Sequence, residues 1–146
     1  MKKLRTLYLI ASEDGFRLLK THEPDLAEIA LKAADDFSDV AYSYPSEQSR
    51  NHGGPGAPAF DTGSVANKVE QERIRLARHI VAALGVEWAK GDHDRIVISA
   101  GPKMLGQLRD EMPKALHAHV AAELHKDLMK VPAHDLLPHF KEVTQA

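Results

Sequence analysis

Residues 4–22 read LRTLYLIASEDGFRLLKTH, and the reading of this stretch decides the fold. In an extended chain Leu7, Leu9 and Ala11 fall on one side, Tyr8 and Ile10 on the other. Apolar residues on both sides mark a central strand covered on two faces. Asp14-Gly15 follows, a tight-turn pair in which glycine tolerates positive φ. Residues 16–22 alternate and are expected to return antiparallel, up to a second turn at Pro24-Asp25. Residues 26–34 fit two patterns. Leu26, Ile29, Ala30 and Ala33 make a helical stripe, whereas Ala27, Ile29 and Leu31 make a strand; a third hairpin strand is the more economical topology.

Residues 64–90 are the clearest helix, with Val65, Val69, Leu76, Ile80 and Ala83 or Leu84 on one face and Ser64 as its N-cap. Lys68, Glu70, Glu72, Arg73, Arg75 and Arg78 are expected on the solvent side, and Gly85 is a candidate end of the regular helix. Arg95-Ile96-Val97-Ile98-Ser99-Ala100 reads as a buried strand closed by Gly101-Pro102. Helices are expected over 103–110 and 113–119, each opened by a proline. Residues 120–130 alternate as a last strand, with a helix continuing from Pro113 as the rival reading. Pro132 opens a terminal helix with Leu136, Leu137 and Phe140 inward. The expected order is β-β-β-α-β-α-β-α. That is an α/β fold with a mixed five-stranded sheet and flanking helices, the ribonuclease-H-like arrangement.

The chain has 146 residues, 43% hydrophobic and 27% charged, which suits one domain over 1–146 and argues against wholesale disorder. Nineteen basic residues against 21 acidic ones leave a net charge of −2, so no global field draws the protein to DNA or to an anionic membrane. The absence of cysteine excludes disulfides, thiolate-bound metals and a cysteine nucleophile. The basic start Met1-Lys2-Lys3 precedes an apolar run too short for a signal peptide, and no stretch approaches the roughly 20 apolar residues of a membrane span. A soluble cytoplasmic protein is expected.

Residues 35–63 change character. They hold Pro45, Pro55, Pro58, Gly53, Gly54, Gly56 and Gly63, with Arg50 as the one lysine or arginine against five acids. So long a connection inside a domain is commonly functional or disordered. Its centre, Arg50-Asn51-His52-Gly53-Gly54-Pro55-Gly56-Ala57, lies just ahead of the long helix, where glycines let a backbone approach a ligand closely. It matches neither a P-loop nor a dinucleotide fingerprint, so no cofactor is implied. The helix cations Lys68, Arg73, Arg75 and Arg78 could meet RNA phosphates, diluted by Glu70, Glu72 and Glu87. Lys126-Asp127 beside Glu123 forms a compact charged group whose plain reading is a solvated ion pair. Nine histidines, including His117, His119, His125, His134 and His139, contain no H-E-x-x-H, and no metal is expected.

These features together resemble the bacterial family of proteins required for attachment to host cells, itself similar to the middle domain of archaeo-eukaryotic class I peptide-chain release factors. The resemblance rests on the strand pair around Asp14-Gly15, the Gly-rich segment, Glu70-Gln71-Glu72 with Arg75-Leu76-Ala77-Arg78, and Arg95–Ala100 with Gly101-Pro102. It continues through Leu105-Gly106-Gln107-Leu108-Arg109 and Glu123-Leu124-His125-Lys126-Asp127-Leu128 with Val131-Pro132, and so covers nearly the whole chain. In the release factors a Gly-Gly-Gln loop ahead of the same helix enters the peptidyl transferase centre, where the glutamine N–H helps water attack peptidyl-tRNA. The resemblance therefore implies a finger made of His52, Gly53, Gly54, Pro55 and Gly56, and a ribosome or tRNA partner. Pro55 stands at the glutamine position and has no N–H to donate, which speaks against hydrolysis. Met129 likewise departs from the family's Lys-Asp-Leu-Thr pattern. A protein partner in a non-catalytic role tied to attachment is the alternative.

Overall fold

The computed structural model describes residues 4–40 and 58–144. Strands β1 (Thr6–Ser12), β2 (Gly15–His22) and β3 (Asp25–Ala33) form a meander. A 3-10 turn, Ala34–Asp36, follows, and then helix α1 (Pro58–Trp88), strand β4 (Arg95–Ala100), helix α2 (Pro102–Glu111) and the short helix α3 (Lys114–His117). Strand β5 (Val120–Leu124), a 3-10 turn at Ala133–Asp135 and helix α4 (Leu137–Thr144) complete the described residues.

The strands form one five-stranded sheet in the order β3-β2-β1-β4-β5. β1 pairs antiparallel with β2 and parallel with β4, β5 is parallel to β4, and β3 is antiparallel to β2. This is the mixed sheet expected from the sequence. The ambiguous residues 26–34 form a strand as far as Ala33, because antiparallel pairing with β2 satisfies the inward-pointing backbone groups of this edge strand and buries Leu26. The central β1 divides its side chains as its alternation requires. Leu7, Leu9 and Ala11 pack with Ile96 and Ile98 under Leu76, Ile80 and Leu84 of α1 and Met104 and Leu108 of α2. Tyr8 and Ile10 face the other way, with Leu19, Val97, Leu136 and Phe140; the Tyr8 and Phe140 rings lie 4.7 Å apart. Two helices thus cover one face, and the C-terminal segment covers the other.

Four expectations are corrected. α1 begins at Pro58, so Ser64 lies inside it and is not its N-cap; proline is tolerated in a first helical turn, and helix elongation carries the chain through Gly63. Gly85 does not end α1, which runs to Trp88 because Leu84 anchors that turn in the core. Glu72 and Arg73 are buried, not solvent-facing. Finally, β5 stops at Leu124 because the polar groups of the next residues are held by side chains instead of a strand ladder.

Candidate functional site

β1, β4 and β5 run parallel, so their carboxyl ends lie along one edge of the sheet, where ligands bind in open α/β sheets. The chain turns sharply at two of these ends. After β1, the Asp14 N–H donates to Ser12 Oγ at 3.0 Å. After β4, Gly101-Pro102 starts α2, and no side chain caps that helix. Between them opens a cleft of about 520 Å³, lined by Ser12, Glu13 and Asp14 on one wall and Pro102, Lys103 and Asp127 on the other. Arg73 of α1 donates to Glu13 at 3.1 Å and ties the long helix to the rim of this cleft.

The segment after β5 is built around a buried arginine. Arg17 of β2 is 4% exposed. Its Nη1 donates to the carbonyl oxygens of Leu128, Met129 and Val131 at 2.9, 3.1 and 2.7 Å. Its Nε and Nη2 pair with Glu28. Ser99 Oγ donates to the Lys126 carbonyl at 2.6 Å, and the Met129 N–H donates to Asp127 Oδ1 at 3.0 Å. Five contacts therefore fix residues 126–131 and leave the Asp127 side chain on the cleft. Asp14 and Asp127 can accept and Lys103 can donate at this cleft, whose lining, with Pro102 and Met104, is otherwise mostly apolar.

Of the residues singled out from sequence, Asp127 lines this cleft. Lys126 is exposed, and its backbone carbonyl accepts from Ser99 Oγ. Glu123, expected beside them, pairs instead with Arg109, which raises the arginine's pKa through the hydrogen bond and the charge of Glu123. Lys68, Glu70, Arg75 and Arg78 are exposed on α1; Arg78 Nε lies 3.1 Å from Glu111. Arg73 departs from the basic face expected of it, since its guanidinium is buried against Glu13. Arg50, His52, Gly53, Gly54, Pro55 and Gly56 lie outside the described residues. His117 ends α3 and His119 follows it, both exposed, and among the described residues no three metal-ligating side chains gather. No helix of the described residues is long and apolar enough to cross a membrane.

Sequence reading missed Arg17 and the His93–Glu87 pair. His93 is buried, its Nε2 3.1 Å from Glu87 Oε2, with Lys90 Nζ 3.0 Å from the other oxygen. Burial pushes the Glu87 carboxyl up, but hydrogen bonds from His93 and Lys90 outweigh it and hold the group below its ordinary value. Near the foot of α1, His79 holds the Asp39 carboxyl low by a 2.7 Å hydrogen bond, while the His79 ring stacks on Phe37 at 4.2 Å. A glutamate in the last turn of α1, three residues before Lys90, was the single local signal; the rest depends on the tertiary fold.

A mixed sheet with a parallel trio, a long helix entering after a Gly-rich segment and a cleft at the carboxyl ends together define a release-factor-like α/β domain. The chain belongs to bacterial archaeo-eukaryotic release factor family 12, whose sequence profile matches residues 5–140. No curated protein matches the chain. The family assignment agrees with the release-factor likeness carried by the sequence motifs.

Proposed function

We propose that this chain acts on the ribosome or on tRNA, presenting His52, Gly53, Gly54, Pro55 and Gly56 from the end of α1. The observation that carries this reading is α1 itself. It starts at Pro58, immediately after those residues, and runs for 31 residues. Glu72 and Arg73 are buried, whereas Asn67, Lys68, Glu70 and Gln71 are exposed. Such a helix is a stiff stem rooted in the sheet, with Lys68 and Arg75 on its exposed surface for phosphates. Pro55 supplies no N–H, so the proposed action is binding near the tRNA acceptor end without ester hydrolysis.

The test is ribosome pelleting of the wild type against a Gly53→Ala/Gly54→Ala variant. The reading expects the wild type to pellet, the variant to lose most of that binding, and the bound fraction to fall as salt rises. Equal pelleting of both removes the finger, and turnover of peptidyl-tRNA by added protein removes the non-hydrolytic part.

A second reading is a non-catalytic protein-interaction factor in the cytoplasm, needed indirectly for attachment to host cells. It is favoured by the neutralisation of two helix cations, Arg73 by Glu13 and Arg78 by Glu111, which thins the basic face. It expects a protein partner and no salt-sensitive RNA binding.

A further inference from the structure

Where the chain leaves β3 it makes the 3-10 turn over Ala34–Asp36 and then lies against α1 through residues 37–40. The ends of this strap are held without charge. The Ala34 N–H donates to the Asp14 carbonyl at 2.7 Å, and Val40 is fully buried in the same apolar core as Leu76 and Ile80.

Between those ends the strap meets one side chain of α1 on two sides. The His79 imidazole lies nearly parallel to the Phe37 ring, with centroids 4.2 Å apart and 14° between the planes. Its Nε2 donates to Asp39 Oδ1 at 2.7 Å. Phe37 in turn stacks at 6.3 Å on Phe16 of β2, so the contact runs from the helix to the sheet. The His79 and Asp39 side chains are 35% and 53% exposed, so protons reach the pair without the fold opening.

An imidazole changes charge between about pH 5 and 8, and here both of its neighbours respond in the same direction. A charged ring attracts the Asp39 carboxylate, and it is also drawn to the π-face of Phe37. A neutral ring keeps an Nε2–H donor and the stack but loses both attractions. The opposing charge is Arg75, one turn earlier on α1, whose field also reaches Asp39. The other charged groups of these elements are engaged elsewhere or exposed: Arg78 pairs with Glu111, Asp36 accepts from the Ala33 N–H, and Asp35 is exposed.

We propose that His79 is a pH-sensitive clasp that fastens residues 37–40 to α1, tight while its ring is charged and looser once the ring is neutral. The clasp sets how firmly the chain is held on the helix just ahead of residue 41. It goes beyond the ribosome reading and uses none of the finger residues. The hydrogen bond and the charge of His79 hold the Asp39 carboxyl below its ordinary value, so of the two groups the ring is the one that changes state between about pH 5 and 8.

The test is amide hydrogen exchange of the full chain, read at Val40, whose N–H donates to the Phe37 carbonyl at 3.0 Å. Protection there is corrected for the intrinsic pH dependence of exchange and divided by that of the β1 amides, which report global opening. This ratio is expected to fall about threefold from pH 5 to pH 8, the size of effect an exposed ion pair exerts. His79→Gln keeps a donor but does not titrate, and its ratio is expected to stay flat. Asp39→Asn, at an exposed position, is expected to lose most of the pH dependence while the far-UV circular dichroism stays unchanged. A flat ratio in the wild type overturns the proposal. So does a full pH dependence in His79→Gln or Asp39→Asn, which would assign the effect to another group. None of these outcomes depends on ribosome binding, so failure of the clasp and failure of the proposed function are told apart.

Discussion

Replacing Arg17 by methionine should be among the most damaging single changes outside the apolar core. The methionine keeps most of the side-chain volume, so the lost term is polar. Arg17 Nη1 donates to three carbonyl oxygens, those of Leu128, Met129 and Val131, and the guanidinium is paired with Glu28. The Leu128 carbonyl bond is buried, so without a donor it bears a desolvation cost of about 1–3 kcal/mol. The other two carbonyls are partly buried and recover some hydration, and Glu28, at 32% exposure, returns largely to water. The total loss is about 4 kcal/mol, within the range for breaking a buried ionic contact. In a chain of this length that lowers the melting temperature by roughly 10 °C. Urea denaturation followed by circular dichroism measures it, with Glu28→Gln as a control expected to cost under about 1 kcal/mol. Arg17→Lys should recover only part of the loss, since one ammonium cannot span the carbonyls and the carboxylate together. An Arg17→Met protein within about 1 kcal/mol of wild type would refute the idea that this side chain organises residues 126–131.

Other changes have equally definite expected outcomes. Gly15→Ala places a Cβ 2.1 Å from the Lys32 carbonyl oxygen and 2.9 Å from Ala33 Cα, so β2 and β3 must separate; a loss of about 3 kcal/mol in urea unfolding is expected, and a neutral result would contradict this register. Ser99→Ala removes the donor to the Lys126 carbonyl and should cost about 1 kcal/mol, with faster amide exchange over 126–131 than elsewhere. Glu87 is held below its ordinary pKa of 4.5, so its contribution is present above that value and lost as pH falls through the lower folded-state value. Stability measured from pH 6 downward should therefore fall on the acid side, and Glu87→Gln should flatten that limb; parallel curves for the two proteins would exclude the pair as its source.

How much of the site was legible follows from the range of each interaction. Asp127 was singled out in a local charged group and lines the cleft, whereas the finger residues were named from the Gly-rich segment and lie outside the described residues. Its neighbours there, Glu13, Asp14 and Lys103, carried no local mark, because their proximity depends on the parallel pairing of β1 with β4. Arg73 looked like another solvated helix cation until the fold set Glu13 against it. Arg17 occupies an alternating strand position and was indistinguishable from a surface residue. Glu28 on the neighbouring strand and carbonyls more than 110 residues away in the chain together make its burial tolerable.

The sequence alone determined the class of architecture: periods of two and 3.6 are local properties, and a strand apolar on both sides must be central. It determined equally that Pro55 cannot donate a hydrogen bond, which is a matter of covalent structure. Tertiary structure alone decided which polar groups are buried, which turns share an edge of the sheet, and that His79 of α1 meets Phe37 and Asp39. Those outcomes depend on desolvation costs offset by partners far away in the chain, and no window of local sequence contains both members of such a pair.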